Sequence, residues 1–189
     1  MKVYLIRHGE STSDVEDRYG GDYDDHLTEN GKAQARKLAD ELAGKCIEII
    51  FSSPRYRAKE TAQFLKEKLK CELKFVDDIR ERNNYGILTG MKKLEAKEKY
   101  PDQVELLKST YNTVKDGESY EHFKGRIISS FNKIISSKYK TIAIVTHGGP
   151  IRCIFREILE LGELKELKDC HVFELEKKGE KLVLIRGEY

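Results

Sequence analysis

Three short polar segments hold the side chains whose types and spacing could do chemistry, and each directly follows an apolar run. They are Arg7-His8-Gly9, 52–57 with the sequence Ser-Ser-Pro-Arg-Tyr-Arg, and His147-Gly148-Gly149. An arginine offers five fixed donors suited to a phosphate, a histidine can be a nucleophile, and a glycine lets the backbone come close to a ligand. This combination indicates phosphoryl chemistry at a histidine.

The apolar runs predict buried strands at 3–6, 47–51 and 141–146, with further strands at 73–76, 171–175 and 182–185. Helices are expected between them, capped by Thr28 and Ser119 or started by Pro54 and Pro150. This alternation predicts an α/β fold, a three-layer α/β/α sandwich with a mostly parallel central sheet and an antiparallel edge strand. Parallel strands end at one edge of a sheet, so the three polar segments should meet there.

Composition limits the classes of partner. The 189 residues are 36% charged but balance to a net charge of +2, which predicts no binding to nucleic acid or to a membrane. No signal peptide or membrane-spanning apolar run is seen, and four scattered cysteines without metal-ligand spacing are typical of a reducing cytoplasm. We therefore expect a cytoplasmic protein without a metal. A homodimer is left open, because pairing through edge strands leaves no clear mark in a sequence.

One domain is predicted over residues 1–189, with a cap-like excursion at about 88–117 where the sequence is polar and mixed. Charged residues outside the three segments have simpler interpretations. The turn with Asp22, Asp24 and Asp25 is expected to be solvated, and Arg55 is expected at the surface. Structural or surface positions are expected for His26, His122 and His171.

Several spaced motifs, in this order along the chain, extend the pattern of the first three. They are 5–11 (Leu-Ile-Arg-His-Gly-Glu-Ser), 17–21, Leu27-Thr28, Ser53-Pro54, Arg57-Ala58, Thr61-Ala62, Glu81-Arg82, Tyr85-Gly86, 88–90, 117–119 and 147–149. Through them nearly the whole chain resembles the histidine phosphatase superfamily, in the branch that contains cofactor-dependent phosphoglycerate mutases and related phosphatases.

The resemblance implies a role for each matching residue. His8 would be the nucleophile and form a transient phosphohistidine, with its distal N–H held by a carbonyl or a carboxylate. Glu81 would be the acid that protonates the leaving oxygen and then the base that activates water or a second hydroxyl. Phosphate would be bound by Arg7, Arg57, His147 and Gly148, and the rest of the substrate by Ser11, Asp14, Gly20, Gly21 and Lys93.

Two positions depart from the family's pattern. Asp14 stands where the family usually has asparagine, so its carboxylate either points away, is neutralised by an arginine, or tunes selectivity. The segment from Glu81 to Gly86 is one residue longer than usual, which leaves Glu10 as an alternative acid.

The resemblance favours a phosphatase that hydrolyses a small phosphorylated metabolite over two alternatives. A mutase primed by 2,3-bisphosphoglycerate is suggested by the sequence around Lys93, but the mutases' arginine pair is replaced by Lys108-Ser109. Mutases also have a C-terminal tail that keeps water away, whereas this chain ends at Tyr189 directly after its last predicted strand. The remote alternative is an inactive binding or regulatory module. Substrate specificity is expected to depend on the 88–117 segment.

Overall fold

A six-stranded mixed sheet forms the centre of the molecule. The computed structural model describes residues 1–164 and 166–187. Tyr189, the chain end on which the sequence argument for hydrolysis of the phosphohistidine depended, lies outside the described residues. The strands are β1 (Lys2–Arg7), β2 (Ile49–Ser52), β3 (Glu72–Phe75), β4 (Thr141–Thr146), β5 (Val172–Lys178) and β6 (Lys181–Arg186), arranged in the order β3-β2-β4-β1-β5-β6.

The strands that precede the polar segments run parallel and lie side by side. β1 pairs with β4, β4 with β2, and β2 with β3, all in parallel register. β5 is antiparallel to both β1 and β6, which confirms the prediction of a mostly parallel sheet with antiparallel pairing at one edge.

Helices cover both faces of this sheet. They are α1 (Thr12–Val15), α2 (Glu29–Leu42), α3 (Tyr56–Leu69), α4 (Lys93–Lys99), α5 (Pro101–Leu106), α6 (Tyr120–Ile135) and α7 (Gly148–Glu157). Alternate residues of β1 point to opposite faces, so Val3 and Leu5 pack with α6 and α7, whereas Tyr4 and Ile6 pack with α2 and α3. The three-layer α/β/α prediction is confirmed.

Caps and prolines set the ends of the helices. Thr28 caps α2 by accepting the Gly31 N–H at 2.9 Å, and Ser119 caps α6 as predicted. The predicted starts at Pro54 and Pro150 are wrong: α3 begins at Tyr56, and α7 begins at Gly148. Proline is tolerated outside a helix and throughout its first turn, where no N–H is bonded within the helix, so it does not mark one starting residue.

The 88–117 segment contains α4 and α5 and has its own small apolar cluster of Leu88, Ala96 and Val114. It joins the loop after α1 through backbone hydrogen bonds, from Tyr19 N–H to Met91 O at 3.0 Å and from Gly90 N–H to Tyr19 O at 2.8 Å. This places the segment over one end of the sheet. Within the described chain, no helix is both long and apolar enough to cross a membrane.

Candidate active site

The three polar segments meet at the carboxyl edge of the parallel strands, as predicted. They border a cavity of about 490 Å³. Of the predicted site residues, the cavity is lined by Arg7, His8, Ser11, Asp14, Gly20, Gly21, Arg57, Glu81, Lys93 and Gly148. His147 is the exception, because it is completely buried behind His8, with the two ring centroids 5.1 Å apart and the rings edge to face.

His8 is held as a neutral imidazole by one hydrogen-bond partner on each ring nitrogen. Its Nδ1 lies 2.7 Å from the Gly9 carbonyl oxygen, which can only accept, so we assign the proton to Nδ1. Nε2 then carries the lone pair, and it accepts from Arg57 Nε at 3.0 Å. Burial, followed by the charges of Arg57 and Arg7, holds the pKa of His8 well below its ordinary value. The Gly9 carbonyl thus lies where the predicted partner of the distal N–H is expected.

His147 lies beside His8 in the same buried setting. Its Nε2 is 2.8 Å from Ser53 Oγ, and its Nδ1 has no hydrogen-bond partner among residues 1–164 and 166–187. Burial, then the charges of Arg57 and Arg7, lowers the pKa of His147 well below its ordinary value. The buried Nδ1 is therefore a polar atom that a ligand oxygen can satisfy.

Arg57 is fixed by acceptors from the loop that precedes α2. Its Nη1 donates to Asp25 Oδ1 and to Tyr23 O, both at 2.6 Å, and its Nη2 donates to Gly21 O at 2.8 Å. Asp25 is 3% exposed, so its predicted solvated position is wrong. The reason is the guanidinium of Arg57, which compensates the buried carboxylate and makes burial tolerable.

Burial alone would raise the pKa of Asp25, but the charge of Arg57 and hydrogen bonds from Ser13 and Ser11 outweigh it and leave that pKa below its ordinary value. The neighbouring acids of the turn have another partner, since Arg55 forms ion pairs with Asp22 and Asp24. Arg55 is thus half-buried between acids and does not line the cavity with Arg57.

Arg7 lies between two carboxylates. Its Nη1 donates to Leu167 O at 2.6 Å and is 3.2 Å from Asp169, and its Nη2 is 3.5 Å from Asp14. Of the three possibilities for Asp14, the structure shows neutralisation by an arginine, and Asp14 also accepts from Ser11 Oγ at 2.7 Å. The buried Arg7 Nε has no partner in the described part of the chain, which leaves a donor available to an anion.

Asp169 was missed in the sequence because it comes from an irregular segment before β5. Burial, together with the charges of Asp14 and Glu10, raises the pKa of Asp169 against the opposing charge of Arg7. No motif marks this residue, and only the fold brings it to Arg7.

Glu81 is oriented by two backbone donors. Its Oε2 accepts from Gly149 N–H at 3.0 Å and its Oε1 from Arg82 N–H at 2.8 Å. The alternative acid, Glu10, instead binds Thr28 and Asn30 and does not line the cavity. This geometry favours Glu81 in spite of the longer segment that follows it, and its role stays a prediction.

The remaining predicted residues lie in the cavity wall with partners of their own. Gly21 has a φ of +57°, a conformation that favours glycine, and its carbonyl holds Arg57. Gly20 lies against Ser13, where a Cβ would be 2.8 Å from Oγ. The ammonium of Lys93 forms an ion pair with Asp17. Gly148 is the first residue of α7, so its N–H is not bonded within that helix.

The cavity is also lined by four cations that sequence reasoning did not assign to the site: Arg18, Arg82, Arg152 and Arg156. Arg152 and Arg156 follow Gly149 at helical spacing, a signal that could have been read from the predicted helix. The others depend on how the 88–117 segment packs. The lining cations outnumber the two lining carboxylates, Asp14 and Glu81, so the cavity suits an anion.

No cluster of three or more histidine, cysteine, aspartate or glutamate side chains that could hold a metal ion occurs among the described residues. The groups that face the cavity around His8 are instead arginines and a helix N-terminus. Such groups bind phosphate and stabilise a negatively charged transition state.

Known proteins similar to this chain include phosphatases. "Putative phosphoserine phosphatase 2" of Hydrogenobacter thermophilus is 32% identical over 97% of this chain and 93% of its own length. "Metal-independent phosphoserine phosphatase" of Arabidopsis thaliana is 29% identical over 97% of this chain and 79% of its own. The solved structure of Bacillus stearothermophilus YhfR covers 100% of this chain and 97% of its own, with a TM-score of 0.91 and 23% identity.

The match to a family covers almost the whole chain. It extends over residues 3–186 and so includes all of the strand residues except Lys2, the His8 and His147 segments and Glu81. The chain belongs to the histidine phosphatase superfamily, branch 1.

Proposed function

We propose that this protein is a phosphomonoesterase that hydrolyses a small phosphorylated metabolite through a phosphohistidine at His8. The observation that carries the proposal is the state of His8: a neutral ring whose Nδ1 is bonded to Gly9 O and whose Nε2 lone pair lies at the cavity beside Arg57. When substrate binds, Arg57 Nε donates to a phosphoryl oxygen instead of to Nε2. The freed lone pair attacks phosphorus, and the bond from phosphorus to the ester oxygen breaks.

Positive groups around His8 hold the phosphoryl oxygens during this step. Arg7, Arg57 and the N–H of Gly148 line the cavity beside His8, and His147 lies directly behind the His8 ring, so the negative charge of the transition state meets donors already in place. These side chains supply the charge stabilisation that a metal supplies in other phosphatases, so the proposed reaction needs no metal cofactor.

We assign Glu81 as the general acid and then the general base. In the first step it donates a proton to the leaving oxygen, and in the second its carboxylate accepts a proton from the water that attacks the phosphohistidine, so inorganic phosphate leaves and His8 is regenerated. Its contact with the N-terminal turn of α7 keeps the carboxyl on the cavity wall beside Gly149.

A mutase is the second candidate, because Lys93 lines the cavity as the mutase-like sequence predicts. In that case 2,3-bisphosphoglycerate would be the primer. Two observations favour hydrolysis instead: Lys93 is paired with Asp17, and Lys108 pairs with Glu105 and does not line the cavity. The inactive-module alternative is disfavoured by the intact set of Arg7, His8, Arg57 and His147.

Other expectations from the sequence stay proposals. A single domain is supported by the one continuous sheet, and a reducing cytoplasm by four cysteines that are all free. The proposed partner is a small phosphorylated metabolite rather than nucleic acid or membrane, with a homodimer left open.

An assay with 3-phosphoglycerate and catalytic 2,3-bisphosphoglycerate in chelator tests the proposal, beside a panel of phosphomonoesters. Both inorganic phosphate and 2-phosphoglycerate are quantified, and His8→Ala is the control. We expect phosphate from the panel, little isomer, and loss of both products in the variant. Isomer without phosphate would establish the mutase, and turnover by His8→Ala would exclude the mechanism.

A further inference from the structure

One face of α7 forms part of the cavity wall. Gly149, Arg152 and Arg156 follow one another at intervals of three and four residues, and all three line the cavity. Arg156 is engaged by protein groups, since it binds the carboxylate of Glu163 and the hydroxyl of Tyr120. Arg152 has no hydrogen bond or ion pair with any residue in 1–164 or 166–187.

The other cations of the cavity differ from Arg152 in this respect, because each has an acceptor within the protein. Carboxylates pair with Arg7, Arg18, Arg57, Lys93 and Arg156, and backbone carbonyls accept from Arg82. A guanidinium on a cavity wall without such an acceptor keeps all of its donors for a ligand.

The position of Arg152 relates it to the leaving-group side of the proposed reaction. The N–H of Gly149 holds Glu81, the proposed acid for the leaving oxygen. Arg152 comes three residues later, about 4.5 Å along the helix axis. Its side chain turns back toward the start of the helix, since a Cβ on Gly148 would lie 3.0 Å from Arg152 Nη1.

We propose that Arg152 is a specificity-determining residue that binds a carboxylate on the leaving-group part of the substrate, so that the enzyme prefers phosphomonoesters of hydroxy acids. This inference rests on the proposed function. A planar guanidinium matches the two oxygens of a carboxylate in a bidentate pair. One uncommitted guanidinium also balances the single charge of a carboxylate, whereas a second phosphate carries about two charges.

The test compares two competitors that differ in this one group: 3-phosphoglycerate, which has the carboxylate, and glycerol 3-phosphate, which has a hydroxymethyl group there. Each is used to inhibit hydrolysis of p-nitrophenyl phosphate under His8-dependent turnover, and the inhibition constant is taken as a dissociation constant only for a competitor that releases no phosphate. For a competitor that is hydrolysed, equilibrium binding to His8→Ala is measured instead. In the parent protein we expect 3-phosphoglycerate to bind about 10- to 100-fold more tightly.

Arg152→Met should abolish that difference and leave kcat/KM for p-nitrophenyl phosphate within about threefold, and Arg152→Lys should restore part of it. Lys108→Met is the matched control, because it removes one charge from a residue that pairs with Glu105 outside the cavity. It should retain the full preference.

Equal binding of the two competitors by the parent protein would overturn the proposal. The proposal would also be overturned if Arg152→Met weakened the binding of both competitors and lowered kcat/KM for p-nitrophenyl phosphate by the same factor. That result would mean that Arg152 binds the transferred phosphoryl group. Failure of the proposed function is recognised separately, since the parent protein would then not hydrolyse p-nitrophenyl phosphate, or His8→Ala would hydrolyse it equally well.

Discussion

Glu81 and Gly149 are in direct contact, and the contact requires glycine. Glu81 Oε2 accepts the Gly149 N–H at 3.0 Å, and a Cβ on residue 149 would lie 2.1 Å from Oε1. No side chain fits at that distance, so any residue other than glycine must displace the carboxyl group. The first turn of α7 thereby fixes both the N–H of Gly148, which we propose binds phosphate, and the proposed acid.

Gly149→Ala should therefore impair proton donation to the leaving oxygen. We expect kcat/KM for an alkyl phosphate to fall by about 10²-fold, within the range of general acid catalysis, and to fall much less for p-nitrophenyl phosphate, whose leaving group needs little protonation. Steady-state kinetics with both esters measures the ratio.

Gly125→Ala is the matched control, because a Cβ on this exposed glycine of α6 meets nothing within 4 Å. It should keep full activity and increase the free energy of unfolding by about 0.5–1 kcal/mol. Equal effects of the two substitutions on both esters would show that Gly149 does not position Glu81.

Arg126 holds the segment that leads to Glu81. It donates to the carbonyls of Asp78, Arg80 and Glu81 at 2.7–2.9 Å and forms a two-point ion pair with Glu118. Glu118→Gln should lower the free energy of unfolding by about 1.5–3 kcal/mol, because the buried guanidinium loses its charged partner. It should also lower activity more for alkyl phosphates than for p-nitrophenyl phosphate.

Urea unfolding and the ratio of the two esters measure these effects. Glu121→Gln is the control, since Glu121 pairs with Lys124 on the exposed side of the same helix. This substitution should lower the free energy of unfolding by less than about 1 kcal/mol. Equal stability of Glu118→Gln and the parent protein would exclude the ion pair as a support of this segment.

Asp25 is the buried counter-charge of Arg57, with both side chains under 5% exposed. Asp25→Ala should lower the free energy of unfolding by about 3–5 kcal/mol, because it leaves the charge of Arg57 uncompensated. Asp24→Ala removes the adjacent, more exposed carboxylate that pairs with Arg55. It should lower the free energy of unfolding by at most about 1 kcal/mol. Similar unfolding midpoints for the two variants in urea would contradict the assignment.

The same ion pair makes the free energy of unfolding depend on pH in acidic solution. Because the pKa of Asp25 is depressed in the folded state, its contribution is present above the unfolded value of about 3.9 and is lost as pH falls through the lower folded pKa.

His8 and His147 should stay neutral in mildly acidic solution, because their pKa values are held well below about 6.5. The unfolded chain takes up these protons and the folded protein does not. Stability should therefore fall as pH decreases below about 6.5, by up to about 1.4 kcal/mol per pH unit for each histidine.

NMR titration of the ring protons tests this directly, with free imidazole in the sample as the reference. We expect the signals of His8 and His147 not to move between pH 8 and pH 6. Titration of either ring together with the reference would contradict the neutral state assigned to that ring.

The predictable part of the site follows from one rule about sheets. Apolar runs identified β1, β2 and β4, and polar segments at the carboxyl ends of parallel strands must meet, which placed Arg7, His8, Arg57 and His147 together. Residues whose position depends on distant partners could not be found this way. Asp25 looks like part of a solvated acidic turn until Arg57, from a helix 32 residues away, compensates its charge.

The proline signals failed for a local reason. Pro54 precedes α3 by two residues, and Pro150 is the third residue of α7, because proline is compatible with each of these positions. Arg82 and Tyr120 belong to the cavity wall only after α6 and the 88–117 segment pack beside it, and no local pattern encodes that packing.

The measurement that tests the central claim most directly is rapid quenching of the enzyme with a phosphomonoester, followed by peptide mapping under conditions that preserve phosphohistidine. We predict one phosphoryl group, on His8, formed before inorganic phosphate is released and absent from His8→Ala in chelator. Turnover by His8→Ala, or a label on any other residue that precedes phosphate release, would contradict phosphoryl transfer through His8.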